Sequence, residues 1–253
     1  MFHHFHNDKL FKKSQGSISS KQLYELIKKI GRNHFLNPDE FISNLKKKQL
    51  KKTDLCLTFD DGLKSQFVIA NPVLEDLKIK AFYFVYSSIF NKNYSMLEPY
   101  RYFRHYYFKN MNEFYKTFFN EMNLIFNFKD KFENFKFYSK SKIYEWKSNY
   151  PRYSKEDIIF RLTRDFFLKN NEYKVIMNSL FKKKKFNHFK IKNKLFMTPS
   201  NLKYLEKKGN LIGLHSHSHP TNLASQTFEK QKKEYNLNYK KLNNILQNPH
   251  SYY

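Results

Sequence analysis

The sequence predicts an α/β fold built from parallel strands, interrupted by one large helical insertion. Three observations carry this. Short apolar runs at 54–59 (DLCLTF), 80–86 (KAFYFVY) and 210–214 (NLIGL) have the length and residue types of buried strands. The first two flank a helical pattern, and strand, helix and strand in that order imply parallel pairing. Between the second and third runs lie some hundred residues, 95–195, dense in Phe, Tyr, Lys and Asn and without glycine.

In chain order, residues 1–7 (MFHHFHN) suit a short strand. Residues 21–31 place Leu23, Leu26, Ile27 and Ile30 at helical spacing, and Gly31 is a natural C-cap. Asn37-Pro38 opens a second helix, because proline's missing N–H costs nothing in a first turn. Phe41, Ile42 and Leu45 are its predicted core face. After the strand at 54–59, with Cys56 in its core, residues 64–77 read as a helix that Pro72 should kink or break.

Within 95–195 the pattern predicts helices. Ser154 and Asp157 form a capping-box-like start for 155–169, with Ile158, Leu162 and Phe166 on one face. The run FKKKKF at 181–186 is a solvated loop or helix end. From 196 the order returns. Thr198 caps a helix that starts at Pro199, with Leu202 and Leu205 inward and Gly209 at its end. Residues 227–246 are helical, with Tyr235, Tyr239, Leu242 and Leu246 in register.

Composition limits what such a chain can do. Its 253 residues are 40% hydrophobic, with 28 Phe and 19 Tyr, enough for a real core. The net charge is +25, yet only six residues are Arg. Readers of phosphate and base edges favour the bidentate guanidinium. Overuse of Lys, Asn, Phe, Tyr and Ile instead fits AT-rich codons, so nucleic acid is not the expected partner. A basic nucleic-acid-binding module using 95–195 is the minor alternative. One cysteine excludes an intrachain disulfide and a cysteine zinc cluster. No run of ~18 apolar residues and no signal-peptide pattern occurs, which sets cytoplasm, or the inner membrane face, as the expected location.

Two strands end in residues that can bind metal. Asp60-Asp61-Gly62 ends one, and His215, His217 and His219 follow another. In parallel β/α folds the C-terminal strand ends gather at one face, where sites are built. Adjacent carboxylates on extended backbone point to opposite sides, so one Asp can ligate while its neighbour does other work. Taken alone, Asp-Asp-Gly is an ordinary turn. His215 and His219, four apart, can converge on one ion from a helical turn or a tight loop, and His217 should project elsewhere. One carboxylate with two imidazoles leaves coordination positions open, as catalytic zinc sites do. His3, His4 and His6 either line that site or are plain strand-end residues.

These residues resemble the polysaccharide deacetylases, the NodB-homology or carbohydrate esterase family 4. TFDDG (58–62) is similar to that family's first motif, and HSHSH (215–219) to its second, His-Ser/Thr-x-x-His. The flanks LTFDDGLKSQF, PVLEDLKIKAFYFV and MTPSNLKYLEKKGNLIGL keep the family's rhythm, and FHHFH resembles its first strand. The resemblance spans 1–94 and 196–253, and leaves 95–195 as an insertion, long enough to be functional or lid-like.

The resemblance implies an incomplete, distorted (β/α) barrel with a large helical insertion. It implies Asp60 as catalytic base and Asp61, His215 and His219 as ligands to a divalent metal, commonly Zn²⁺. The implied reaction removes acetyl groups from N-acetylated sugars of a polysaccharide or glycan intermediate. A third motif, aromatic-Pro-Gly, should begin near residue 252, where this sequence reads HSYY and stops. A C-terminally truncated chain is therefore expected, with a missing segment or a partner completing the barrel, and a catalytically impaired fragment is the alternative.

Overall fold

A computed structural model describes residues 1–220 and 222–246. The expected start of a third motif, near residue 252, lies outside the described residues. The chain divides into two compact units, residues 1–96 with 189–253, and residues 97–188.

The first unit is a mixed helix and sheet structure. It begins with α1 (Ser20–Ile30), capped by Ser19 and Gln22 in a reciprocal capping box and closed by Gly31 at φ 100°. Leu23 and Ile27 are buried, whereas Leu26 and Ile30 are exposed, so the apolar stripe is narrower than the spacing predicts. In α2 (Pro38–Lys46), Leu45 is exposed and does not join the core face. It lies in the last turn, where the chain already leaves the helix through Lys48 at positive φ.

Strands β1 (Leu57–Asp60) and β2 (Ala81–Val85) flank the short helix α3 (Asn71–Asp76). Pro72 does not break the helical path. A π turn over Gln66–Ala70 precedes it, and the Asn71 N–H bonds to the Gln66 carbonyl. Pro72 then falls at the second residue of α3, in a first turn where its missing N–H costs little.

After 96 the chain leaves this unit. It returns through α10 (Lys192–Leu195), α11 (Pro199–Lys207), β3 (Leu211–Leu214) and α12 (Phe228–Asn243), numbered in chain order after the helices of the second unit. Thr198 caps α11 as predicted, accepting from the Asn201 N–H.

The three strands form a parallel sheet in the order β1-β2-β3, with Asp60 opposite Phe84 and Val85 opposite Leu214. Among the described residues this sheet is open, and a closed barrel is absent. Residues 1–7 add isolated bridges rather than a full strand: Phe2 pairs with Phe59, and Phe5 with Ile18. Phe59, Tyr83, Leu23, Ile27 and Leu74 are fully buried and form the centre of the core. Cys56 is only half-buried, because it precedes the paired part of β1.

Gly213 has a steric reason. A Cβ there would lie 2.5 Å from the Phe84 ring on the neighbouring strand. The ring of Phe84, the residue paired with Gly213, occupies the space that a side chain at 213 would need.

The second unit is helical: α4 (Leu97–Tyr106), α5 (Met111–Phe126), α6 (Lys129–Tyr138), α7 (Lys140–Asn149), α8 (Lys155–Leu162) and α9 (Asn170–Lys183). Phe103, Phe114, Phe118 and Phe160 are fully buried, with ring centroids of Phe114 and Phe118 at 5.3 and 5.0 Å from Phe160. Ser154 caps α8, and Ile158 and Leu162 are buried. Phe166 is exposed, because the helix widens into a π turn at Thr163–Phe167 and the face rotates. In FKKKKF the four lysines are exposed, while Phe181 and Phe186 are buried.

Candidate metal centre

Asp61 sits where β1 stops being a strand. Its φ is 78°, and Gly62 follows at 62°. A Cβ at Gly62 would meet Val85 at 3.0 Å and Ile89 at 3.2 Å, so the turn is both left-handed and tightly covered. Gln66, fully buried, holds this turn. Its Nε2 donates to the carbonyls of Asp60 and His3, and its Oε1 accepts from the Leu63 N–H. One amide thus ties the first residues of the chain to the end of β1. The Phe2 N–H to Thr58 carbonyl bond (2.8 Å) and the Asp60 N–H to Phe2 carbonyl bond (3.1 Å) complete the seam.

The loop after β3 is held as firmly. Asn238 of α12, fully buried, donates its Nδ2 to the carbonyls of Val85 and Ser216. Glu234 of the same helix accepts from the backbone N–H groups of His217 (2.9 Å) and Ser218 (2.7 Å), and from the Ser218 hydroxyl (2.8 Å). The His219 N–H donates to Ser216 Oγ. His217 turns away toward the loop after β2. Asn91 Nδ2 donates to its Nε2, leaving Nδ1–H to donate to Ser87 Oγ at 2.9 Å. Both its ring nitrogens are thereby engaged outside the cluster.

These two turns bring Asp61, His215 and His219 together, with one ligand-type atom from each within 4.8 Å of the others. The Asp61 Oδ1 lies 3.3 Å from His215 Nε2 and 3.1 Å from His219 Nε2. That oxygen is buried and makes no well-formed hydrogen bond. Donors ~2.0–2.1 Å from a tetrahedral zinc lie about 3.3 Å from one another. The spacing and the chemistry of the set, one carboxylate oxygen and two imidazole nitrogens, therefore fit a divalent cation. The Asp61 side chain is 5% exposed, against 31% for His215 and 18% for His219, so the cluster opens to solvent on the imidazole side.

Electrostatics separates the two acids. Burial alone would raise the Asp61 carboxyl, but His215 and His219, with His3 farther out, hold it well below the usual carboxylate range. Burial pushes Asp60 up, and His215 and His3 oppose that only in part. His3 Nε2 lies 3.8 Å from Asp60 Oδ2 and 4.0 Å from Asp61 Oδ2. His4 stacks on His3, and His6 pairs with Ser17 Oγ at 2.9 Å. Of the three N-terminal histidines, His3 thus lies beside both acids.

Backbone strain marks the same place. Among the described residues, eight other than glycine have positive φ. Asp8, Lys48, Lys78, Asn127 and Lys185 lie at exposed turns. Asp61, Ser216 and His219, buried or half-buried, are the other three. Such strain costs on the order of 1–3 kcal/mol per residue and persists where the surroundings over-determine it. Here Gln66, Asn238 and Glu234 are those surroundings. Sequence reasoning missed all three, because a single Gln, Asn or Glu within a helix carries no periodic signal.

No protein-family model matches the chain, and no curated protein sequence matches it. One solved structure is similar, the Streptococcus pyogenes deacetylase PplD in complex with acetate. It shares 14% identity over 96% of this chain and 67% of that one, with a TM-score of 0.47.

Proposed function

We propose that the chain is a metal-dependent hydrolase of the polysaccharide deacetylase type, removing acetyl groups from N-acetylated sugars. The observation that carries this is the convergence of Asp61, His215 and His219 beside a second acid, from two motifs more than 150 residues apart. Asp61 Oδ1 and the Nε2 atoms of His215 and His219 would hold the cation, zinc being the metal that suits this donor set. A cation bound there supplies a Lewis acid that polarises the amide carbonyl and lowers the pKa of water to about 7.

The chain's own residues supply the rest. Asp60 takes the proton of the attacking water on its carboxylate, as general base. It stands beside His3, whose Nε2 lies 3.8 Å from its Oδ2. His217, held by Ser87 and Glu234, fixes the loop rather than binding the ion. The products are acetate and a free amine on the sugar.

The three strands are, on this reading, part of a distorted (β/α) barrel whose sheet continues past its present edges, and residues 95–195 are an insertion in it. The test is acetate release from N-acetylglucosamine oligomers, with and without added zinc. Zinc-dependent release that falls by about 10²–10⁴-fold in Asp60→Asn is expected. Release unaffected by that substitution would overturn the role of Asp60, and a chain that binds no divalent metal would overturn the reading itself.

A further inference from the structure

Two adjoining cavities run along α6 in the helical unit, and neither belongs to the metal centre. One, of about 470 Å³, lies between α5, α6 and α8; the other, of about 570 Å³, lies between α6, α7 and α8. They share Glu133, Lys136 and Ile159, so they form one trench. Each is in the ~300–1,000 Å³ range of small-molecule sites.

The trench has an apolar floor. Phe119 and Phe132 stack at 5.0 Å at one end, Ile159 lies at the middle, and Ile143 and Phe137 line the other end. Its rim is basic: Lys116, Lys136, Lys140 and Lys155, against the acids Glu133 and Glu156. Two of the ammonium groups lie over rings of the floor: Lys136 Nζ is 5.1 Å from the Phe132 centroid, and Lys140 Nζ is 4.5 Å from that of Phe137. Lys136 also pairs with Glu133 at 2.6 Å. Helix α7 has no buried residue and α6 only Phe132, so this hairpin leaves apolar surface uncovered. Phe137 is 62% exposed.

We propose that this trench binds an anionic amphiphile, an acyl-type chain on the aromatic and aliphatic floor with a phosphate or carboxylate against the lysine rim. Apolar side chains recur along both cavities, from Phe119 and Phe132 through Ile159 to Ile143 and Phe137, which suits a chain. The rim holds twice as many lysines as acids, and a lysine ammonium serves a phosphate as a point charge. The inference is independent of the metal centre and of any hydrolytic activity.

The chain reports on itself, because Trp146 is its one tryptophan and sits one turn from Ile143 on α7. Full-length protein is titrated with dodecyl phosphate below its micellar concentration while Trp146 emission is followed. Saturable one-to-one binding is expected, at least tenfold tighter than octyl phosphate, since each added buried methylene contributes. The double substitution Lys140→Glu with Lys155→Glu, both exposed on the rim, should weaken it at least tenfold with an unchanged thermal melt, and Ile159→Glu should weaken it by a second route.

Vesicles of phosphatidylcholine with or without phosphatidic acid identify the source. Co-sedimentation with the acidic vesicles, competed by dodecyl phosphate, marks a membrane lipid, and binding of the monomer alone marks a soluble ligand. Affinity that is flat with chain length, equal in the double variant, or displaced as well by a single-stranded oligonucleotide would overturn the proposal.

Discussion

In the sheet-bearing unit, Gln66, Asn238 and Glu234 direct their hydrogen bonds to backbone groups of the turns that carry Asp60, Asp61, His215 and His219. In the helical unit, the buried acids Asp157 and Glu121 take their hydrogen bonds from other side chains. Tyr115 donates to Asp157 at 2.8 Å, Arg161 reaches the same carboxylate at 3.0 Å, and Ser179 and Lys183 both donate to Glu121. The first arrangement fixes strained loops that a regular backbone could not form. The second joins helices that their own backbone bonds already specify. The contrast teaches where substitution should disturb function and where it should disturb stability alone.

The largest effect separates the two. Phe160→Ala empties a fully buried position among Phe114, Tyr115 and Phe118, and should cost about 3–5 kcal/mol in denaturant unfolding. Zinc affinity should stay within about twofold, because the proposed ligands Asp61, His215 and His219 lie in the other unit. Asn238→Leu strips the carbonyls of Val85 and Ser216 of their donor. It should cost about 2–3 kcal/mol, the penalty for buried groups left unpaired, and should also lower zinc affinity at least tenfold. A Phe160→Ala protein that loses zinc, or an Asn238→Leu protein that keeps it, would break the comparison.

A smaller effect sharpens it within the site. Asp61 is held low in the folded chain, so its contribution to stability is complete above the ordinary carboxylate range near ~3.9 and is lost as the pH falls toward the folded value. Asp60 is held high, so its contribution is present in acid and lost as the pH rises through its raised value. In chelator-treated protein at pH 7, Asp61→Asn should lower the melting temperature by about 2–4 °C, the shift that ~1 kcal/mol gives in a chain of this size. Asp60→Asn should raise it. Both differences should shrink by pH 3, and differential scanning calorimetry across that range checks the two signs.

Much of this was legible in the residues. The three strands announce themselves as apolar runs that end in Asp-Asp-Gly or in a histidine cluster, and composition plus position suffice for that. Capping residues located α8 and α11, since Ser154 and Thr198 act through local chemistry, and Gly31 marked the end of α1. The exposed Leu45 and Phe166 were not legible, because a helix end or a π turn rotates a face without changing its spacing. Pro72 led toward a break, yet it falls in the first turn of α3. Within the site, the approach of Asp61 to His215 and His219 needs the parallel sheet, and the supports from Gln66 and Asn238 depend on which helix packs behind which loop. His3 becomes a neighbour of Asp60 through the bridge of Phe2 to Phe59 and the Gln66 amide that bonds both carbonyls.

Calorimetric titration of the chelator-treated chain with zinc at pH 7.5 probes the account at its root. One zinc per chain should bind, with at least tenfold loss in Asp61→Ala, His215→Ala and His219→Ala, and affinity near wild type in His217→Ala. Absence of a saturable site, or a loss in His217→Ala as large as in His215→Ala, would contradict it.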